Sequence, residues 1–263
     1  MNFKSLTIAL AWNIGRMRLS NRIVLAYHGI WPGPTDNFLT VELENFIWQI
    51  EFVKKYYRIV TLEEVLESES GDRVAAITID DCYARLLPEA IEFIRNNRIP
   101  VALFAPTGLL GGSIAAREKK YPVMTSSDLL SIDSGLFSIG SHSITHRELT
   151  DLSDGEKEME IRRSKEDLQN LLGHEVNLFA YPRGKYDCDI RNMTEMSGYT
   201  HAVTIEPGAV PWGCDPFQIP RVSVLRSTSR NMFRLMLTGL GDRIVKAYAK
   251  WNARKQMKSS ETK

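Results

Sequence analysis

Short apolar runs recur along the chain, each closed by polar or turn residues, and they alternate with stretches of helical spacing. The runs are Ile23 to Tyr27, Ala75 to Ile79, Val101 to Phe104, Leu136 to Gly140, Leu178 to Tyr181, Thr200 to Thr204 and Val222 to Leu225. Continuous rather than alternating hydrophobicity predicts strands covered on both faces, as in a parallel sheet. Between them, Leu43, Phe46, Ile47, Ile50 and Val53 form one apolar stripe, with Thr40 or a neighbour as its cap. Thr61 caps a helix over Leu62 to Leu66, and Leu86, Leu87, Ile91 and Ile94 stripe another. Thr125 to Ile132 and Asp189 to Met196 are further short helices. Leu152 to Leu172 is the longest periodic segment: Ser153 with Glu156 predicts a capping box, and Met159, Ile161, Leu168, Leu171 and Leu172 its inner face. Strands alternating with helices fit one barrel or an open wound sheet, which the pattern does not separate.

Reactive residues gather where three of these strands end. Asp80 and Asp81 follow the run Ala75 to Ile79; His142 and His146 follow Leu136 to Gly140; a Pro/Gly turn follows Leu178 to Tyr181. The carboxyl ends of strands are where α/β folds place their chemistry. Adjacent carboxylates repel when both are ionised, so a compensating cation, a shared proton or open solvent is needed. Two imidazoles and one carboxylate suffice to hold a catalytic metal and leave positions open, which would free the second carboxylate to handle a proton. His28, after the first strand, is equally consistent with a pocket group and with an ordinary loop histidine.

The ordered motifs TIDDCY at Thr78 to Tyr83, HSITH at His142 to His146 and FAYPRG at Phe179 to Gly184 resemble those of the polysaccharide deacetylase family, the NodB-like metal-dependent carbohydrate deacetylases. YHGI at Tyr27 to Ile30, RIPVALFAPTG at Arg98 to Gly108 and DPFQIPRVSV at Asp215 to Val224 extend the likeness over Ile23 to Val224. The resemblance implies an α/β fold, a distorted, incomplete (β/α)7-type barrel forming a single catalytic domain. It implies Asp81, His142 and His146 as ligands of one divalent metal and Asp80 as general base. Zinc suits this ligand set, and cobalt, nickel or manganese remain compatible. The reaction implied is hydrolysis of the N-acetyl amide of an amino sugar in a polysaccharide or lipid-linked precursor. A deformylase or deacylase of another amide and a silent carbohydrate-binding scaffold are the alternatives.

The chain departs from the family pattern at several points. Many relatives carry an arginine two residues before the proline of the third motif; here that position is Ala180, and Arg221 is the nearest replacement as partner of Asp80. The backbone N–H of Arg183 matches the family's oxyanion donor, and its side chain offers a contact for an anionic part of substrate. The late leucine-x-histidine motif is missing, which leaves His28 as first and His201 as second choice of general acid. His174 reads as solvated, and Cys82 and Ile79 replace the more usual glycine and phenylalanine beside the carboxylates.

Composition adds limits rather than functions. The chain has 263 residues, 43% hydrophobic, enough for one domain with a sizeable core or one domain plus an appendage, and its net charge of +1 says nothing on its own about a polyanionic partner. Three cysteines without ligand-like spacing argue against a disulfide scaffold and mildly for a reducing compartment. Residues 1–22 form an amphipathic segment whose apolar run is too short to span a bilayer and lacks a clear cleavage site. We divide the rest into a catalytic domain at 23–228 and basic amphipathic helices and tail at 229–263. Between Arg226 and Lys258, nine Lys or Arg face the single acid Asp242, interleaved with apolar residues. That pattern predicts either a closing helix with a solvated end or peripheral contact with an anionic membrane. Cytoplasmic or membrane-peripheral placement is favoured over secretion, and no nucleic-acid motif accompanies the basic tail. Nothing in the sequence sets an oligomeric state.

Overall fold

The computed structural model describes residues 19–33, 37–84, 88–116, 119–132, 135–238 and 241. Leu86, Leu87, Gly239, Leu240, the tail beyond 241 and most of the amino-terminal segment lie outside these residues. The elements, in chain order, are β1 Arg22–Tyr27, β2 Gly29–Trp31, β3 Thr40–Glu42, α1 Leu43–Tyr56, β4 Arg58–Ile59, α2 Leu62–Glu67, β5 Val74–Ile79, α3 Pro88–Asn96 and β6 Val101–Ala105. There follow the hairpin β7 Ser113–Ala116 with β8 Lys119–Pro122, then α4 Ser126–Ile132, β9 Phe137–Ser141, α5 Asp154–Glu158, α6 Ser164–Leu172, β10 Leu178–Ala180, α7 Cys188–Met196, β11 His201–Pro207, β12 Ile219–Ser223 and α8 Arg230–Met236.

Strand order decides between barrel and open sheet. The ladder runs β1-β12-β11-β10-β9-β6-β5, and β1 also pairs with β5, so seven parallel strands close on themselves. Closure is uneven. All six residues of β1 pair along β5, whereas its register with β12 covers only Leu25 and Ala26. β4 pairs with Val74 and Ala75 of β5 while β6 pairs from Ile77 onward, which places β4 as a short eighth strand outside the ring. The expected distorted (β/α)7-type barrel is therefore the architecture observed. β1, β5 and β6 are buried at every position, as their unbroken apolar runs require.

The helices form for the reasons read in the sequence, with two differences. Thr61 caps α2 in a full capping box with Glu64, and Ser153 caps α5 likewise with Glu156. Thr40 does not cap α1: it lies in β3, and Glu42 holds the N-cap position without a side-chain bond. Along the segment 152–172 the regular period breaks at a π-turn, Met159–Arg163, which joins α5 to α6. The extra residue rotates the helix face: Met159, expected inside, is 57% exposed, while Glu160 is buried with Ile161. α8 packs Phe233, fully buried, edge-on against Trp48 and Phe52 of α1. Leu19 pairs with Thr238, so the described chain begins and ends side by side.

Candidate metal centre and catalytic cleft

At the carboxyl ends of the barrel strands lies a cleft of about 640 Å³ whose lining includes His28, Asp80, Asp81, His142, His146 and Arg183. Each of these residues is delivered by a strand or by the turn that ends one. Asp80 directly follows β5, and its N–H donates to the Tyr27 carbonyl at 2.9 Å, which ties it to β1. The next two residues, Asp81 and Cys82, both take the left-handed backbone region, with φ of 70° and 50°. For residues with a Cβ such a pair is strained, and it persists because the surroundings hold it. Met124 N–H donates to the Cys82 carbonyl at 2.8 Å, and the Cys82 thiol to the Phe104 carbonyl at 3.2 Å.

Three side chains converge. The Nε2 atoms of His142 and His146 lie 3.5 and 3.3 Å from Asp81 Oδ1. One ligand atom from each of the three residues falls within 4.8 Å of the others, the one such cluster among the described residues. Asp81 Oδ1 is buried without a hydrogen-bond donor. His142 Nδ1 sits 2.8 Å from the Ala180 carbonyl, which fixes the proton there and leaves Nε2 as a free lone pair facing Asp81. Burial first, then His146, lowers the His142 pKa to about 4, so the imidazole is neutral at neutral pH. For Asp81, burial opposes ionisation, yet contact with His146 and the nearness of His28 and His142 outweigh it and hold the carboxyl below its usual range. A buried carboxylate oxygen without a donor, facing two imidazole nitrogens, is a donor set that fits a divalent metal.

Asp80 is built differently. Arg221 grips it with two parallel bonds, Nη1 to Oδ1 and Nη2 to Oδ2, each 2.7 Å. The guanidinium is fully buried in the middle of β12, where it also donates to the Thr204 carbonyl at 2.7 Å and to Thr78 Oγ1 at 3.0 Å. Arg221 is thus no surface residue. Burial pushes the Asp80 pKa up, but the charge and hydrogen bonds of Arg221 prevail and hold it below the ordinary value. Two neighbouring carboxylates coexist because each faces its own partners, a guanidinium for one and imidazoles for the other. Ala180, where the resemblance implies an arginine, offers its carbonyl to His142.

The remaining expectations separate by position. His28 directly follows β1 and lines the cleft, with Nδ1 buried and without a partner among the described residues. Arg183 lines it as well, in the turn Pro182–Gly184 with φ of 53°, and its side chain approaches Glu148 at 3.7 Å. Gly184 follows at φ 64°, and a Cβ there would meet the Ile205 backbone nitrogen at 2.7 Å, so this turn closes only with glycine. His201 begins β11 at the opposite end of the barrel, near Glu63 and Glu67, and His174 is exposed. Neither can reach the cleft. Tyr83, not among the expected site residues, also lines the cleft, and its ionisation is pushed up by burial first and then by the Asp81 carboxylate. Its place in the TIDDCY motif was the available signal. Glu148 carries no comparable signal, since a charged residue two positions after a ligand reads as solvated.

Comparisons with known proteins agree with this geometry. The polysaccharide deacetylase family model matches residues 67–202. That stretch contains Asp80, Asp81, His142, His146 and Arg183; His28 and Arg221 fall outside it. The chain is 25% identical over 216 residues to the Bacillus subtilis (strain 168) protein YxkH, whose name assigns it to the polysaccharide deacetylases, covering 80% of this chain and 74% of that one. Among solved structures, the Streptococcus pyogenes deacetylase PplD in complex with acetate matches with a TM-score of 0.70 and 19% identity, over 84% of this chain and 99% of that one. IcaB from Ammonifex degensii matches with a TM-score of 0.70 and 18% identity, over 85% and 98%. At these identities the two structures establish the shared fold.

Proposed function

Because the chain belongs to the polysaccharide deacetylase family, we propose that it hydrolyses the N-acetyl amide of an amino sugar in a polysaccharide or its lipid-linked precursor. The observation that carries this reading is the pairing, in one cleft, of the Asp81, His142 and His146 cluster with an arginine-gripped Asp80. A divalent ion held by the cluster, zinc by preference, would supply Lewis acidity toward the acyl carbonyl and the attacking water.

The chain's own residues account for the rest. Asp80, kept ionised by Arg221, takes the proton from water as it adds to the acyl carbon. The Arg183 N–H hydrogen-bonds the oxyanion that forms. As the C–N bond breaks, His28 gives a proton to the departing amine, which leaves the free amino sugar and acetate. Support for His28 is its place directly after β1 and a ring nitrogen without a partner among the described residues. Arg221 restores, from β12, the cation that position 180 lacks, which favours an enzyme over a silent scaffold. The test is acetate release from N-acetylated glycans by metal-loaded and by chelated protein. Release that stops on chelation supports the reading. Metal-dependent release of formate alone would move it to the deformylases, and no turnover with metal retained would leave a binding scaffold.

Peripheral attachment to an anionic membrane through the basic tail belongs to the same proposal; Lys250, Arg254, Lys255 and Lys258 lie outside the described residues. Among the described residues no helix is long and apolar enough to cross a bilayer. Replacing those four with glutamine is expected to weaken cosedimentation with anionic vesicles, most at low salt, and by about 1 kcal/mol for each charge that lies near the surface. Equal cosedimentation of variant and parent would remove the membrane role.

A further inference from the structure

We infer that Glu160, far from the reacting atoms in sequence and absent from the ligand set, is the positioning residue that sets the metal-binding loop. The inference rests on the proposed metal site. The loop from Ser141 to His146 carries two non-glycine residues in the left-handed region, Ser143 at φ 63° and His146 at φ 58°. Such a loop is not the conformation the chain would choose alone, so something must hold it. One face is held by the backbone: Thr107 N–H donates to the Ser143 carbonyl at 3.0 Å and Gly108 N–H to the Ile144 carbonyl at 2.9 Å.

Glu160 holds the other. Its Oε2 accepts from two successive amides, Ile144 at 2.8 Å and Thr145 at 2.9 Å, and its Oε1 accepts from the Thr145 hydroxyl. Arg147 Nη2 approaches the same Oε1 at 3.5 Å. The carboxylate is 3% exposed, and it spans the two residues immediately before His146. Bonds that backbone N–H groups donate to a carboxylate are strong, and here they fix the turn that aims His146 at Asp81. The π-turn explains how a charged residue comes to face inward. In a regular helix the sequence period would turn Met159 to the core, whereas the extra residue of Met159–Arg163 swings Glu160 under the loop instead. Ser164, the first residue of α6 directly after the turn, is a second prop, because it accepts at 2.7 Å from Ser141, whose hydroxyl in turn accepts from Ser143 N–H at 3.2 Å. Residues of this kind, one layer behind the ligands, govern how well a site is preorganised for its ion.

The experiment titrates the full chain, stripped of metal, with cobalt(II) alone and follows both the affinity and the visible ligand-field spectrum. Glu160→Ala should weaken cobalt binding about 10- to 100-fold and alter the spectrum, with the unfolded fraction at the working temperature unchanged. Glu160→Gln keeps an oxygen for the two amides and loses the charge, so its affinity should fall between parent and alanine variant. A residue that merely supported the fold would lower the melting temperature while leaving cobalt affinity and spectrum as in the parent, and that result would overturn the role. If Glu160→Ala does not fold, Glu160→Gln decides: parental affinity with a parental spectrum overturns the inference, and reduced affinity supports it. No cobalt uptake by the parent would overturn the metal reading itself, and this role with it.

Discussion

Asp80→Asn and Asp81→Ala should both silence the enzyme, but only the second should empty it of metal. An asparagine at position 80 keeps the shape of the carboxylate and loses the proton acceptor, so kcat should fall by about 100- to 10,000-fold, the range general-base removal typically shows. The ion should remain, because Asp80 is turned toward Arg221 and the cluster atoms belong to Asp81, His142 and His146. Removing Asp81 takes away the one carboxylate ligand and leaves two imidazoles, a set too weak to keep the ion against dilution. Elemental analysis together with turnover separates the roles. Near-normal turnover of Asp80→Asn would remove that residue from the mechanism, and a full complement of metal in Asp81→Ala would remove the ligand assignment.

Why adjacent residues divide so cleanly was only half legible in the sequence. The strand ends were readable because continuous apolar runs mark strands buried on both faces, and Asp80, Asp81, His142 and His146 stand directly after two of them. Closure of the barrel was not readable from pattern, since β1 and β5 look the same in a ring and in an open sheet; the β1–β5 pairing decides it. Arg221 was reachable by noticing the alanine at 180, yet nothing local says that a guanidinium in an apolar strand reaches 141 positions back along the chain to Asp80. Glu160 was not reachable at all. Periodicity assumes a constant number of residues per turn, and one π-turn is enough to exchange the inner and outer faces at Met159 and Glu160. Long-range pairing and local departures from the helical period are the terms that a pattern of apolar positions leaves out.

The largest effect on stability should come from Arg221→Met. Breaking a buried ion pair from one side typically costs 3–5 kcal/mol, here ~3–5 kcal/mol, because the remaining charge stays buried without a partner. Methionine fills much of the volume but cannot replace the bonds to Asp80, Thr204 and Thr78. The sign of the pH dependence follows from Asp80. In the parent, burial alone would raise its pKa, and Arg221 reverses that, so the folded value lies below the unfolded one. The pair therefore contributes stability that is fully present above the unfolded carboxyl pKa of about 4 and is lost as pH falls through the folded value. Without the guanidinium, burial dominates and the folded pKa moves above the unfolded one, so Asp80 disfavours folding at neutral pH and ceases to do so on acidification. The stability gap between variant and parent should accordingly be widest near neutral pH, begin to narrow as pH falls through the variant's raised Asp80 pKa, and go on narrowing down through the parent's lowered one. Denaturant unfolding at several pH values measures it. Turnover should fall as well, with its acid limb moved to higher pH as Asp80 becomes easier to protonate. Arg221→Lys should recover part of the charge effect and little of the geometry, since an ammonium cannot form the two parallel bonds. An Arg221→Met protein with parental stability at neutral pH and an unmoved rate profile would show that the pair, though short and buried, does not set the state of Asp80.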